Sequence, residues 1–298
     1  MKVYAFIVTY NRFELLKRVV DCLRNQEYPI DKIIVLNNSS TDGLTGSWLE
    51  TQKDLEVITQ PNLGGAGGFY TGIRYCYETG ADWIWMMDDD VFPSPDCLKE
   101  LLKYKSISHC LQITRYFSDG VLVPFPAWSM RLDYRDNPFF NENSDHLYVK
   151  CPNGICFEGT LLSKYLVEEV GYPDKDFFIS GDDTIYGCII AKTFCVPIQV
   201  KTAIAKRQQS STDKDTRAFY MYYSLRNRHL KKKYKTKYGL HNVHIDSCFH
   251  YYFILPLHIL SILIKGGDNK RKKIRALYFG ILDGFKKKIG PSHLLRKL

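Results

Sequence analysis

The first residues that could do chemistry are three consecutive carboxylates, Asp88, Asp89 and Asp90, which follow the apolar run Trp83–Met87. An apolar run of this length is typical of a buried strand, so the carboxylates are expected at its end. Clustered carboxylates repel one another unless a cation lies between them, and Mg²⁺ or Mn²⁺ prefers such ligands together with substrate phosphates. The pattern predicts that Asp88 and Asp90 hold a metal that binds a diphosphate. The alternative is a solvated acidic loop.

A second acidic pair, Asp182 and Asp183, lies in "FFISGDDTIYG", where a loop is expected to enter a helix. A carboxylate at a helix entry can simply cap the helix, and Asp182 suits that role. Beside a metal–diphosphate site Asp183 has a further use, because a general base must accept the proton of an attacking hydroxyl. The pair therefore predicts Asp183 as the catalytic base and Asp182 as a secondary candidate.

A glycine-rich segment, "NLGGAGGF", occupies residues 62–69. Glycine lets a backbone approach a ligand closely, and a plain tight turn before a helix is the alternative. No Gly-Lys-Ser/Thr follows, as a Walker motif requires, and no Gly-x-Gly-x-x-Gly follows the first strand. A P-loop site and a dinucleotide-binding fold are both disfavoured.

The elements that must position these residues alternate along the first third of the chain. Four runs predict strands, with helical or turn segments between them: "KVYAFIVTY", "KIIVLNN", "LEVITQ" and "DWIWMM". This order is typical of an α/β fold with a parallel sheet, which binds ligands at the carboxyl ends of its strands. Polar clusters at those ends are expected to meet at one edge: Thr9–Arg12, Asn37–Thr41, Asn62–Gly68 and Asp88–Asp90.

Charge divides the chain into two regions. Residues 201–298 hold 23 Lys and Arg against 5 Asp and Glu, a balance of +18, although the whole chain carries only +9. Residues 1–200 are therefore acidic, and the two regions are expected to meet different partners.

The basic region contains two apolar stretches. The run "FHYYFILPLHILSILI" has 16 residues, fewer than the roughly 20 of a spanning helix, so a buried or interfacial position is expected. A second stretch predicts a lysine-flanked amphipathic helix, typical of an anionic membrane surface. The alternative is packing against the catalytic domain or against a second subunit of a homo-oligomer. The apolar stripe of this helix comprises Ile274, Leu277, Tyr278, Ile281, Leu282 and Phe285.

Cysteine usage and the N-terminal segment indicate the compartment. The nine cysteines are an odd number without a Cys-x-x-Cys pair, which favours reduced thiols in a cytosolic protein. The segment "MKVYAFIVTYNRF" has no signal-peptide pattern. We expect a cytoplasmic protein, peripheral on the inner face of the plasma membrane.

Five motifs carry a family resemblance: "VTYNR", "NNSSTDG", "NLGGAGGF", "WMMDDDV" and "GDDTIYG". In this order they resemble the inverting GT-A glycosyltransferases of family 2, and most closely bacterial galactofuranosyltransferases, with rhamnosyltransferases as near neighbours. The tail segments "YYSLRNR" and "ALYFGILDGFKKKIG" resemble members of both groups. The resemblance implies a GT-A domain with a mainly parallel central sheet over residues 1–205. A helical, basic region is expected over residues 206–298.

The resemblance also implies roles for individual residues. Asp183 would be the base, Asp88 and Asp90 would bracket Mn²⁺ or Mg²⁺, and Asp89 would lie near the donor sugar. Asn37 stands where the family usually has an aspartate that faces the nucleotide base. The remaining donor-binding residues would be Thr9, Asn11, Arg12, Asn62, Gly64 and Gly65.

The sequence departs from the family pattern at three points. Ile185 replaces a glutamate that often follows the base, and the arginine expected in the next turn is absent from "GCIIAK". Lys206 and Arg207 occupy the region of an expected metal-binding histidine, and they could contact the diphosphate instead. In the irregular middle of the chain, Trp128 could stack on an acceptor sugar, although structural packing explains it equally well.

These features predict a metal-dependent inverting enzyme that moves galactofuranose from UDP-galactofuranose onto a lipid-linked oligosaccharide. The first alternative is a rhamnosyltransferase or other hexosyltransferase with a different nucleotide sugar. A nucleic-acid-binding protein is a second alternative because the last third is basic and aromatic, but the acidic motifs disfavour nucleic acid as a partner. A non-catalytic carbohydrate-binding scaffold is disfavoured by the presence of both acidic sites.

Overall fold

The described part of the chain folds around one nine-stranded sheet, in the order β3-β2-β1-β4-β8-β6-β9-β5, with β7 paired to β9. The structure is a computed structural model. It describes residues 1–123, 147–152, 154–211, 218–240, 256–257, 259–260 and 270–292.

Four parallel strands form one side of the sheet. β1 is buried along its whole length: odd-numbered residues from Val3 to Ile7 pack on one face, and even-numbered residues from Tyr4 to Val8 on the other. Burial on both faces explains why the sequence shows a continuous apolar run. The four strands confirm the sequence prediction: β1 (Val3–Thr9), β2 (Lys32–Asn37), β3 (Leu55–Thr59) and β4 (Trp83–Asp88).

The register of these strands brings their carboxyl ends level. Thr9 pairs with Asn37 across β1 and β2, and Val8 pairs with Asp88 across β1 and β4. The polar residues that end these strands therefore meet at one edge, as the sequence predicted.

The other side of the sheet is mixed. β9 runs parallel to β6 but antiparallel to β5 and β7, and β8 is antiparallel to both β4 and β6. These strands come from the irregular middle of the sequence: β5 (Val91–Pro93), β6 (Cys110–Tyr116), β7 (Tyr148–Lys150), β8 (Leu161–Ser163) and β9 (Ile198–Arg207).

Helices cover both faces of the sheet. α1 and α4 pack on one face, and α3, α5 and α6 pack on the other, so that two apolar cores flank the strands. The described helices are α1 (Phe13–Arg24), α2 (Thr45–Thr51), α3 (Gly64–Glu78), α4 (Cys97–Leu102), α5 (Lys164–Val170), α6 (Asp182–Thr193), α7 (Ala218–Arg226), α8 (Arg228–Tyr238) and α9 (Lys270–Phe285).

The glycine-rich segment is part of α3 rather than a loop before it, because the helix begins at Gly64. Its glycines allow the helix to lie close to the sheet. A Cβ on Gly68 would lie 2.4 Å from Val8 Cγ1, and one on Gly72 would lie 2.4 Å from the Phe6 ring. Helix–sheet packing therefore accounts for part of the glycine content.

The C-terminal helices pack on one another. α9 lies along α7 at Gly280, where a Cβ would come within 2.7 Å of the Tyr222 carbonyl oxygen. The predicted apolar stripe of α9 is divided between two environments. Leu277 is buried against α7, whereas Tyr278 and Phe285 are 62% and 74% exposed.

Among the described helices, none is both long and apolar enough to cross a bilayer. Most of the 16-residue apolar run lies outside the described residues.

Candidate active site

A cavity of about 600 Å³ opens at the carboxyl ends of β1 and β4, a size that suits a small-molecule site. Its wall combines both acidic motifs with the start of α3. It also includes the loop from Phe178 to Gly181, which leads into the second acidic pair, and a segment that sequence analysis did not select, Cys156–Glu158. Asp88 and Asp183, almost a hundred residues apart in the chain, therefore face the same cavity.

Asp89, the middle carboxylate of the triplet, is fixed by residues at the carboxyl end of β1. It is 4% exposed, and its Oδ2 accepts a hydrogen bond of 2.8 Å from Thr9 Oγ1. Arg12 Nη1 donates to Asp89 Oδ1 at 2.8 Å and also lies 3.1 Å from Asp90 Oδ2. Burial raises the pKa of Asp89 although Arg12 opposes the shift. Arg12 thus links the polar residues Thr9–Arg12 at the end of β1 to the acidic triplet.

Asp88 lies in a strongly acidic environment. Burial raises its pKa well above the ordinary value, and the nearby carboxylates of Glu158, Asp90 and Asp89 raise it further. A divalent cation between Asp88 and Asp90 would relieve this repulsion, so the donor set fits a hard metal ion. In the described parts of the chain, no group of three or more His, Cys, Asp or Glu side chains is arranged to hold a metal. The two carboxylates would need other ligands to complete the coordination shell.

Glu158 is a site residue that sequence analysis missed. Arg115 Nη1 donates to Glu158 Oε2 at 2.5 Å, and Arg207 Nη2 lies 3.2 Å from Glu158 Oε1. Burial alone would raise the pKa of Glu158, but the two guanidinium groups hold it below its ordinary value. Glu158 therefore orients Arg207, which lines the cavity beside the acidic triplet, because β9 pairs with β5 at Val91.

Asp182 and Asp183 form the first turn of α6. Asp183 Oδ1 accepts hydrogen bonds from the Thr184 amide at 2.6 Å and from Thr184 Oγ1 at 3.1 Å. Burial and the charge of Asp183 raise the pKa of Asp182 to about 8. Burial also raises the pKa of Asp183, but the Thr184 bonds lower it. Asp183 therefore has the hydrogen bonds that favour a carboxylate, which is the state that a general base needs.

Lys231, on α8, is a second residue that sequence analysis missed. A Cβ on Gly181 would lie 3.0 Å from Lys231 Nζ, so the ammonium group approaches the entry of α6. Burial lowers the pKa of Lys231, and the charge of Asp183 opposes that shift. A cation from the C-terminal region therefore borders the candidate base.

Most predicted donor-binding residues line this cavity. Arg207 faces it, while its neighbour Lys206 is exposed, because adjacent side chains of a strand point to opposite sides. Trp128 lies outside the described residues. The predicted residues in the wall are Thr9, Arg12, Asn62, Gly64, Gly65, Asp88, Asp89, Asp90, Asp182, Asp183 and Arg207.

Two predicted residues, Asn11 and Asn37, do not line the cavity but bond backbone amides of the segment after β2. Asn11 Oδ1 accepts from the Thr41 amide at 2.6 Å, and Asn37 Oδ1 accepts from the Ser40 amide at 2.9 Å. Among the described residues, Asn38 rather than Asn37 contributes to the wall, and its Nδ2 donates to the Gly64 carbonyl at 3.2 Å. Contact between Asn37 and a nucleotide base stays a prediction.

Comparison with known sequences assigns the family. A sequence model described as Glycosyl transferase family 2 matches residues 4–165, more than half of the chain. This chain is a member of glycosyltransferase family 2. Galactofuranosyltransferase GlfT1 of Mycolicibacterium smegmatis is 29% identical to this glycosyltransferase over 191 residues, or 61% of this chain and 62% of that relative. The matched region thus spans less than two thirds of the relative.

Solved structures with the same architecture include a mannosyltransferase and TarS. Mannosyltransferase PcManGT from Pyrobaculum calidifontis, in complex with GDP-Man and Mn²⁺, is 16% identical with a TM-score of 0.55 and covers 96% of this chain and 86% of its own. Residues 1–349 of S. aureus TarS, in complex with UDP-GlcNAc, are 14% identical with a TM-score of 0.53 and cover 95% and 81%. At these identities the likeness shows the GT-A fold, which confirms the predicted fold class.

Proposed function

We propose that this glycosyltransferase moves galactofuranose from UDP-galactofuranose onto a lipid-linked glycan acceptor, with inversion at the anomeric carbon. The observation that carries the proposal is the single cavity that joins the carboxylates at the end of β4 to Asp183 at the start of α6. The similarity to GlfT1, whose name states galactofuranosyl transfer, supports the choice of sugar.

The proposed donor side lies along the edge of the sheet. Asp88 and Asp90 would hold Mn²⁺ or Mg²⁺, which, when bound, neutralises the charge that develops on the leaving diphosphate. Thr9 and Arg12 would orient the acidic triplet, since both donate to Asp89. Arg207 would add a positive charge beside that triplet.

The proposed acceptor side lies at the start of α6. Asp183 would accept the proton of the acceptor hydroxyl as its oxygen attacks the sugar from the face opposite the diphosphate. Asp182, with its pKa raised to about 8, would remain protonated near neutral pH and leave the negative charge on Asp183. Two adjacent carboxylates would thus supply one base.

The proposed attachment site is the inner face of the plasma membrane. Residues 1–205 would form the catalytic domain, and residues 206–298 would form a basic region that binds anionic lipid. The exposed rings of Tyr278 and Phe285, close in sequence to Lys286 and Lys287, support this role.

A donor panel tests the proposed activity. The purified full chain would be incubated with Mn²⁺ and, separately, UDP-galactofuranose, UDP-galactopyranose, UDP-GlcNAc, GDP-mannose and dTDP-rhamnose, and release of the free nucleotide would be measured. Without an acceptor, water attacks the bound donor slowly, so release of the nucleotide reports which donor binds productively. We expect UDP-galactofuranose to be hydrolysed fastest. Faster turnover of dTDP-rhamnose would support the rhamnosyltransferase alternative. Absence of turnover with every donor would contradict the proposed activity.

A further inference from the structure

The loop that leads into the candidate base has an uncommon backbone. Phe178, Ser180 and Gly181 have φ angles of 63°, 74° and 99°, and two of these residues have a side chain that disfavours such angles. Four carbonyl groups of the segment Asp176–Ser180 point toward the C-terminal helices instead of forming a regular ladder. A loop of this kind persists only where surrounding contacts specify it.

Those contacts come from the junction of α7 and α8. Asn227 is 0% exposed, and its Nδ2 lies 3.0 Å, 2.8 Å and 3.0 Å from the carbonyl oxygens of Phe177, Ile179 and Ser180. One amide group with two N–H donors thus contacts three carbonyl groups of the loop.

Arg226 fixes the orientation of that amide. It is 1% exposed, and its Nε and Nη2 donate to Asn227 Oδ1 at 2.9 Å and 2.7 Å. Nη2 also donates to the Phe177 carbonyl at 2.7 Å. Because two guanidinium N–H groups occupy Oδ1, the amide nitrogen must face the loop. The pair acts as a single buried clamp on residues 176–180.

We propose that Arg226 and Asn227 are positioning residues for glycosyl transfer: their clamp holds the loop that sets the place of Asp183. This inference rests on the proposed function, because it assigns a purpose to the site of the proposed base. It also gives a role to "YYSLRNR", the tail motif that contains both residues.

The clamp reaches the donor side through the same loop. The Phe178 carbonyl accepts from the Ala66 amide at 3.1 Å, and a Cβ on Gly64 would lie against that same carbonyl. The Phe178 ring lies 5.0 Å from the ring of Tyr223, one turn before the clamp. The loop is therefore held between the start of α3 and the start of α8.

The decisive variant is Asn227→Asp. It keeps the size of the side chain and the oxygen that accepts from Arg226, but it replaces the N–H donors with an acceptor that faces three carbonyl oxygens. Because misplacement of a reacting group by about 1 Å can cost roughly a hundredfold, we expect kcat for transfer to fall at least about tenfold. Affinity for UDP, measured by calorimetry, should fall by a smaller factor than kcat, since Asn227 reaches the donor side only indirectly, through the Phe178 carbonyl that bonds Ala66.

A matched control separates positioning from general stability. Tyr222→Phe removes a buried hydrogen bond of 2.7 Å to Asp283 from the same helix without touching the loop carbonyls. We expect it to lower Tm while leaving kcat unchanged below Tm. Asn227→Ala and Arg226→Ala, alone and combined, provide further variants. If the two residues act as one unit, the double variant should lose about as much kcat as either single variant.

Hydrogen–deuterium exchange supplies a readout that does not depend on activity. Amides of residues 178–184 should exchange faster in Asn227→Asp and Asn227→Ala than in Tyr222→Phe. Unchanged exchange in both Asn227 variants would overturn the inference, and so would faster exchange with wild-type kcat. A wild-type chain that turns over no nucleotide sugar would instead contradict the proposed function, whereas an active wild type with fully active variants contradicts this inference alone.

Discussion

The two acidic motifs of this glycosyltransferase are held in different ways. Asp88 ends a central strand, and the next residues, Asp89 and Asp90, are bonded from the end of the neighbouring strand by Thr9 and Arg12. Asp182 and Asp183 instead follow a loop with positive φ angles, and that loop is fixed by helices some fifty residues later in the chain. The proposed donor side is therefore built into the sheet, whereas the proposed base depends on contacts from the C-terminal region.

This difference has a physical reason. Strand register places residues at a sheet edge as a direct consequence of backbone hydrogen bonds, so few further contacts are needed. A loop has no ladder, and its carbonyl groups must find donors elsewhere if they are buried. Changes in the C-terminal helices should therefore affect the chemistry of proton transfer more than the binding of a nucleotide.

The largest expected effect is at the base itself. Asp183→Asn keeps size and hydrogen bonding but removes the basic oxygen, so transfer should fall by about a hundredfold or more. Affinity for UDP should change little, because the donor side lies in the sheet. Kinetics of transfer and calorimetry with UDP measure the two properties. Transfer near the wild-type rate would mean that the proton goes elsewhere, and Asp182 would then be the first residue to test.

The next effect concerns the carboxylates at the end of β4. Asp90→Ala should lose most donor turnover while keeping the circular dichroism spectrum of the wild type, since the strand itself is unchanged. Chelation by EDTA should have the same effect, and added Mn²⁺ should restore the wild type but not the variant. Full turnover in EDTA would contradict the metal proposal.

A smaller effect is expected in the pH profile when Lys231 is replaced. The base works deprotonated, so kcat rises as pH rises through the pKa of Asp183. Burial raises that pKa and the Lys231 ammonium lowers it, so Lys231→Met should raise it further. The acid limb of kcat should move to higher pH by about one unit or less. Lys231→Arg is the control, since it retains the charge. Superimposable profiles for all three proteins would show that Lys231 does not act on Asp183.

The smallest effect on catalysis is expected at the exposed part of α9. Replacing Tyr278 and Phe285 by serine should weaken binding to anionic vesicles in a sedimentation assay, while hydrolysis of the sugar nucleotide stays unchanged. Substitution is preferable to removal of the helix and the residues after it. The amide of Gly290 lies 3.3 Å from the carbonyl oxygen of Asp176, at the start of the loop that leads to Asp183, and a deletion would remove that contact. Vesicles of neutral lipid serve as the control. If the wild type ignores anionic vesicles at low salt, these side chains belong to a subunit interface instead.

The sequence alone determined the parts of the site that follow regular elements. An apolar run that ends in polar residues predicts both a strand and what stands at its carboxyl end, so Thr9 and Asp88 could be placed together. The segment "FFISGDDTIYG" likewise predicted a loop that enters a helix, and α6 begins at Asp182. These signals are local in sequence. Because strands and helices have regular geometry, the position of a residue along the element also fixes its position in space.

Only the tertiary structure decided the rest, because the remaining contacts join residues far apart in the chain. Glu158 and Lys231 stand in segments without a motif, and each acquires its importance from a charge on another element. Glycine is common in loops and also at places where a helix packs closely on a sheet. The sequence therefore did not show that the glycine-rich segment forms the first turns of α3 on β1. Asn227 is important because it donates to the carbonyl groups of a loop some fifty residues earlier in the chain. The sequence does not show which donor a buried carbonyl group will bond.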